Sequence, residues 1–224
     1  MSYKTKVTSK DGHQFNVTRS DADNIIGGIV ILHAVYGVTR HIENVCDRFA
    51  AEGISASAPW IFDRVRPNVV HPYNQTGTDS GQKMYSAISK ENLLLDIEAC
   101  LLDQKMSGPV AVCGFCTGGT WAWVAADTLM FDAAICYYAS QISDHIDRKP
   151  NCPTEMHYGD SDFIVPVPII QKFVKRHPEV PCHIYRDQNH AFFNPEQKFY
   201  NAEAANLVWE RSLTFLKKVF ISEK

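Results

Sequence analysis

The feature that most constrains this chain is an alternation. Near-continuous apolar runs rich in β-branched residues trade places with segments whose apolar residues fall at helical spacing, about every 25 to 30 residues. The run Gly28-Ile-Val-Ile-Leu-His33 suits a strand buried on both faces. Thr39 to Glu52 suits a helix, with Ile42, Val45, Cys46 and Phe49 on one stripe and Gly53 placed as its C-cap. Further strands are predicted at Ile54 to Ala58, Pro109 to Phe115, Phe131 to Ala139, Thr154 to Tyr158 and Cys182 to Arg186. Helices are predicted at Glu91 to Lys105, on a stripe of Leu94, Ile97, Leu101 and Leu102, and at Thr117 to Leu129 and Ile169 to His177. A last helix runs from Tyr200 to Phe220, with Leu207, Trp209, Leu213 and Leu216 inward. Asp63 to Gly81, holding Pro, Asn, Gly and Thr, reads as a long loop. Lys4 to Ser9 and Gln14 to Thr18 alternate around Asp11-Gly12 and read as a hairpin. No repeat, linker or composition break interrupts the pattern. It predicts a single α/β domain over 1–224: a mostly parallel central sheet flanked by helices, with an N-terminal antiparallel hairpin.

Composition narrows the function. At 224 residues, 45% hydrophobic and 21% charged, the chain can bury a core without disulfides or metal, which excludes disordered and collagen-like classes. A formal net charge of -3 offers no basic excess for phosphates or anionic lipid, so neither nucleic acid nor a membrane is an expected partner. Met1 to Lys10 is polar, and no window approaches ~18 unbroken apolar residues. A soluble, cytoplasmic protein is expected. The seven cysteines are odd in number, scattered and mostly in apolar surroundings, which suits reduced thiols better than a disulfide framework. Nothing in the sequence fixes the oligomeric state.

In sheets of this kind, chemistry collects in loops beyond the carboxyl ends of the strands. There the sharpest signal is Cys113-Gly114-Phe115-Cys116-Thr117-Gly118-Gly119, between a predicted strand and a predicted helix. A Gly-x-nucleophile-x-Gly turn places its nucleophile in a strained bend, and the small residues let strand and helix approach closely. Cys116 holds that place, above a helix start whose unpaired amides and positive dipole end favour thiolate. Two plainer readings compete. The turn is glycine-rich and need only pack, and a phosphate cradle lacks its P-loop lysine. Cys113 and Cys116 also form a C-x-x-C, although an extended strand separates them by up to about 10 Å against the ~7 Å a disulfide allows.

A nucleophile needs a base, and the base an orienting group. Tyr158-Gly159-Asp160-Ser161-Asp162-Phe163-Ile164-Val165-Pro166 follows one strand, and Asp187-Gln188-Asn189-His190-Ala191-Phe192 follows the last. The order 116, 162, 190 is nucleophile, acid, histidine, the chain order of α/β hydrolases. Taken singly, either aspartate reads equally as a helix cap near Pro168, and His190 as a loop histidine. His33, His157 and His183 read as packed strand-end residues. No helix-face histidine pair and no cysteine-histidine cluster points to a metal, and no cofactor is expected.

From about Gly28 to the C-terminal helix, these motifs resemble the dienelactone hydrolase (carboxymethylenebutenolidase) family of α/β hydrolases. Cysteine in place of serine at the elbow is the specific element. The resemblance implies an α/β-hydrolase fold and a hydrolase that cleaves a small-molecule ester, lactone or thioester through an acyl-cysteine. It implies Cys116 as nucleophile, Asp162 rather than Asp160 as acid, His190 as base, and an oxyanion hole from the backbone amides of Val35 and Thr117. Tyr36, Trp60, Tyr85, Phe192 and Phe193 are candidates to line an apolar pocket. The chain also departs from the family. Ala34 stands where dienelactone-cleaving members have a glutamate, and Gly81 and Asn194 stand where they hold the substrate carboxylate with arginines. Those losses keep open a second class, a non-hydrolytic small-molecule binding or thiol-sensor protein on the same fold.

Overall fold

A computed structural model describes residues 1–222. Eight strands and six α-helices lie among them, in two compact units, Met1–Ala111 and Val112–Lys224.

In the first unit β1 (Tyr3–Thr8) and β2 (Gln14–Ser20) form the expected antiparallel hairpin. Gly12 closes its turn at φ +86°, and the Asp11 carboxylate accepts from the Ser9 hydroxyl and the His13 amide. β2 pairs antiparallel with β4 (Ile54–Pro59), and β4 pairs parallel with β3 (Gly27–Leu32), giving the order β1-β2-β4-β3. Every residue of β3 and β4 is buried, as continuous apolar runs require. α1 (Arg40–Ala51) joins them and stops at Gly53, whose φ of +85° no other residue adopts cheaply.

The stretch from Asp63 to Gly81 is not the predicted loop. Ile61–Arg64 forms a 3-10 turn, and α2 (Gln75–Ser86) occupies the far end, with Asn74 capping the Gly77 amide at 2.9 Å. Its two glycines hid it, since glycine is a poor helix former. Both are there for close approach: a Cβ at Gly77 would overlap the Pro72 carbonyl, and one at Gly81 the Val35 carbonyl. Arg64, at the end of the 3-10 turn, is committed to ion pairs. It grips the buried Asp96 through two bonds of 2.8 Å and Asp11 at 2.7 Å, tying the hairpin turn to α3 (Lys90–Gln104). The predicted face of α3 is also shifted. Leu93, Ile97, Cys100 and Leu101 point inward, while Leu94 is half-buried and Leu102 is exposed.

The second unit begins within β5 (Val110–Phe115) and orders its strands β5-β6-β7-β8, with β6 (Ala133–Tyr137), β7 (Thr154–Gly159) and β8 (Cys182–Tyr185) mutually parallel. α4 (Thr117–Thr128) is apolar nearly all round and almost wholly buried. α5 (Val167–Arg176) follows β7. α6 (Ala202–Ser222) faces inward through Ala205, Val208, Ser212, Leu213, Leu216 and Phe220; Leu207, expected inside, is 40% exposed, and Trp209 is half-buried. The row 205, 208, 212, 216, 220 is the true i+3/i+4 stripe, and Leu207 falls off it by one position.

Candidate functional site

The site is built where β5, β6, β7 and β8 end. Cys116 leaves β5 at φ 57°, ψ -117° and forms the N-cap of α4. No L-residue adopts that conformation without strain, and it persists where the surroundings over-determine it. Here they do. A Cβ at Gly114 would overlap the Gly118 carbonyl, and one at Gly119 would come within 2.7 Å of the Tyr137 carbonyl. The Cys116 amide donates to the Tyr137 carbonyl at 3.0 Å, while its own carbonyl accepts from Thr120 and Ser140. Cys113 is buried in the strand and Cys116 is half-buried, and neither is in a disulfide.

The loops after β7 and β8 are stitched together before they deliver their side chains. Gly159 lies so close to the Gln188 carbonyl that any Cβ would overlap it. Asp160 accepts from the Asp187 amide at 2.7 Å, and the Ser161 amide donates to the Gln188 carbonyl at 3.0 Å. Asp160 is thus a loop staple. Asp162 turns the other way, and its two oxygens divide the work. Oδ1 accepts from the amides of Ile164 and Val165 at 2.8 and 2.9 Å, and Oδ2 meets His190 Nδ1 at 2.7 Å. Both residues are buried. The helix-cap reading of these aspartates does not apply, since Pro166 stands at the N-cap of α5 without a side-chain cap. Asp187 and Ala191, on either side of His190, sit at φ 58° and 62°, and Tyr138 at φ 39° packs edge-on against the imidazole at 4.9 Å. Of the five non-glycine residues with positive φ among the described residues, one is Cys116 itself and three, Tyr138, Asp187 and Ala191, lie around His190.

His190 is held by one nitrogen only. Nδ1 is bonded to Asp162, while Nε2 is buried with no partner of good hydrogen-bond geometry. Its link to Cys116 shows in the protonation of both groups. Burial pushes the Cys116 thiol up, but the charge of the neighbouring His190, with polar contacts from His190, the Ser140 side chain and the Thr117 amide, outweighs it and holds the thiol below its ordinary value. Burial pushes His190 down, but the Cys116 charge, the hydrogen bond to Asp162 and the closeness of the Cys116 sulfur lift it to about 10. The resting state this favours is thiolate with imidazolium.

Sequence reading brought together Cys116, Thr117, Asp162 and His190, but missed Ser140 and Tyr138 at the end of β6. Only their place after a buried strand marked them. Phe192 is wholly buried against Tyr138 and Tyr185, and Phe193 stacks on Phe115 and Tyr137. The other expected residues, Val35 of the oxyanion hole and the pocket candidates Tyr36, Tyr85 and Trp60, belong to the first unit. Val35 lies buried under Gly81 of α2; half-buried Tyr36 bonds Thr78 at 2.8 Å; Tyr85 donates to the His33 carbonyl at 2.6 Å. Trp60 donates to Thr18 at 3.1 Å and carries the Lys4 ammonium 3.7 Å above its ring. Among the described residues no group of three or more His, Cys, Asp or Glu is arranged to hold a metal ion, and no helix is long and apolar enough to cross a membrane.

Comparison with known proteins is consistent with this geometry. The chain is 27% identical over 94% of its length, and 94% of the other's, to a carboxymethylenebutenolidase of Pseudomonas putida. Among solved structures it resembles a Klebsiella pneumoniae protein assigned as a dienelactone hydrolase, at a TM-score of 0.80 and 21% identity over 96% of this chain and 98% of that one. It also resembles a dienelactone hydrolase-like promiscuous phosphotriesterase from metagenomic libraries, at 0.78 and 16% over 97% and 98%. These likenesses carry the α/β-hydrolase fold. The sequence profile of the dienelactone hydrolase family matches residues 16–220, so the chain belongs to the dienelactone hydrolase family and is a hydrolase.

Proposed function

We propose that this chain hydrolyses an uncharged ester, lactone or thioester through an acyl intermediate on Cys116, with His190 as acid and base and Asp162 as the group that orients it. One observation carries the reading: His190 is anchored by Asp162 at 2.7 Å on one nitrogen and left open on the other, beside a thiol on a strained elbow. The Cys116 thiolate attacks the carbonyl, and the oxyanion takes a hydrogen bond from the Thr117 amide at the start of α4. The imidazolium proton of His190 passes to the leaving oxygen, or to the leaving sulfur of a thioester. Neutral His190 then takes a proton from water as it attacks the thioester, and collapse returns acid, thiolate and imidazolium. The family profile runs through both units, which supports reading 1–224 as one hydrolase domain.

The preference for an uncharged substrate rests on lost cations. A desolvated carboxylate needs a paired cation, most often arginine. At 81 a side chain would collide with the Val35 carbonyl, Asn194 is buried with its Oδ1 bonded to the Glu196 amide at 2.9 Å, and Arg64 is committed to Asp96 and Asp11. The test is turnover of p-nitrophenyl esters, neutral lactones and a carboxylated dienelactone by wild type, Cys116→Ala, His190→Ala and the double variant, with mass spectrometry of the acylated protein. Each single variant loses three orders of magnitude or more (~10³ at least), and the double variant little beyond that. The adduct maps to the peptide holding Cys116, and the dienelactone is slower than neutral substrates. Additive losses, an adduct elsewhere or a marked preference for the dienelactone would contradict the reading.

A further inference from the structure

Beside His190 lies apolar surface that the core does not use. Phe163, the residue after Asp162, is 64% exposed, yet its ring stands edge-on to the imidazole with centroids 6.3 Å apart. Its amide points to Asn189 Oδ1 at 3.4 Å, the atom that also receives the His190 amide at 2.8 Å. Phe163 is therefore carried on the same stitched loops as the acid and the base. Across from it Phe199, 38% exposed, packs at 5.9 Å, with the Lys198 ammonium 5.3 Å from its ring. Their chain neighbours Ile164 and Tyr200 are exposed as well, at 41% each. A neighbouring group of large exposed side chains of this kind is uncommon on a protein surface unless something apolar covers it.

The chemistry of the step identifies what covers it. This argument rests on the hydrolase reading above. The proton lost from His190 goes to the leaving oxygen, so that oxygen must come within hydrogen-bond reach of the imidazole. Whatever is bonded to the oxygen then lies within a few ångströms of the His190 ring, which is where Phe163 stands. The acyl carbon is bonded to Cys116 at that moment. We propose that Phe163 and Phe199 form a leaving-group subsite for an apolar alcohol, flat or aromatic, and that the preferred substrates are open esters of such alcohols rather than lactones, whose leaving oxygen stays tethered to the acyl chain.

The experiment compares benzyl and methyl esters of one uncharged acid, whose alcohols differ little in leaving ability. Wild type prefers the benzyl ester in kcat/KM. Phe163→Ala lowers the benzyl-to-methyl ratio about tenfold, the size of a lost apolar contact in a specificity pocket, and Phe199→Ala lowers it less. Phe163→Leu recovers part of the ratio. A second readout does not need turnover: benzyl alcohol slows the alkylation of Cys116 by iodoacetamide in wild type and protects Phe163→Ala much more weakly. An unchanged ratio, or equal losses on both esters, overturns the subsite. So does a patch that pairs two copies of the chain, seen as an elution volume that shifts in Phe163→Ala while the ratio holds. If neither ester is cleaved but benzyl alcohol still protects Cys116 through Phe163, the hydrolase reading fails and the apolar subsite stands.

Discussion

Two buried histidine-carboxylate pairs of the second unit are directly hydrogen-bonded, and they differ in what else the imidazole meets. His190 meets Asp162 at 2.7 Å, and His157 meets Glu155 at 2.9 Å. By distance they are alike. The difference lies at the other nitrogen: His157 Nδ1 bonds the Tyr185 hydroxyl at 2.8 Å, and Ser212, itself receiving the Tyr137 hydroxyl at 2.9 Å, stands 3.3 Å from Nε2. Every polar atom of that imidazole has a partner, in regular strand. Burial, the first cause, pushes His157 below the usual histidine range despite Glu155, while its bonds to His157 and His183 bring the buried Glu155 to about 2. The cluster therefore rests as neutral imidazole donating to carboxylate, a satisfied core network. His190 instead has an open nitrogen, a cysteine beside it and strained backbone around it. A histidine next to a carboxylate is not a site by itself; what supports the proposed site is an unfinished imidazole beside a thiol on a strained elbow.

The largest effect that separates the two pairs comes from their carboxylates. Asp162→Asn keeps the shape but offers His190 the wrong hydrogen-bond partner, and ester turnover falls by about 10³-fold. Asp160→Asn, which retains an oxygen for the Asp187 amide, stays within about twofold. Steady-state kinetics on one ester ranks them, and the reverse order would move the acid to Asp160.

Next in size is the loss of the silent pair. His157→Ala strips the buried Glu155 carboxylate of its nearest donor and costs about 2–4 kcal/mol in denaturant unfolding, with turnover per folded molecule unchanged. A large kinetic defect in fully folded His157→Ala would erase the contrast drawn above.

The smallest effect concerns Ser140, whose hydroxyl helps hold the Cys116 thiolate. Ser140→Ala raises the thiol toward its ordinary value and slows alkylation at neutral pH by about threefold to tenfold. An unchanged pH profile would leave His190 and the Thr117 amide as the whole of the stabilisation.

The sequence carried the strands and the elbow plainly, because fully buried strands and small-residue turns leave little freedom of composition. The order of Cys116, Asp162 and His190 was legible for the same reason: each follows a strand end. α2 was not, since Gly77 and Gly81 serve packing against carbonyls and erase the helical signal. The face of α3 was misread because Leu93-Leu94-Leu95 and Leu101-Leu102 fit more than one phase. The ion pair that selects the phase joins Asp96 to Arg64, 32 residues away. His157 was rightly read as packed; its pairing with Glu155 follows from the two-residue period of β7, which puts 155 and 157 on one face. The roles proposed for Ser140 and Phe163 depend on a tertiary neighbour and leave no local signature.

The proposed chemistry requires Cys116 to rest as a thiolate against a protonated His190. Its pH dependence has a definite sign. With the thiol lowered and the imidazole raised to about 10, the ion pair is lost as pH falls through the thiol's depressed value or rises through that of His190. The most direct test is peptide-resolved iodoacetamide kinetics for all seven cysteines across pH, in wild type and His190→Ala. The account predicts that Cys116 reacts fastest at neutral pH, with a midpoint clearly below the ordinary thiol value of about 8.5, and that His190→Ala returns it toward that value. A wild-type Cys116 midpoint at the ordinary value, unmoved by His190→Ala, would contradict it.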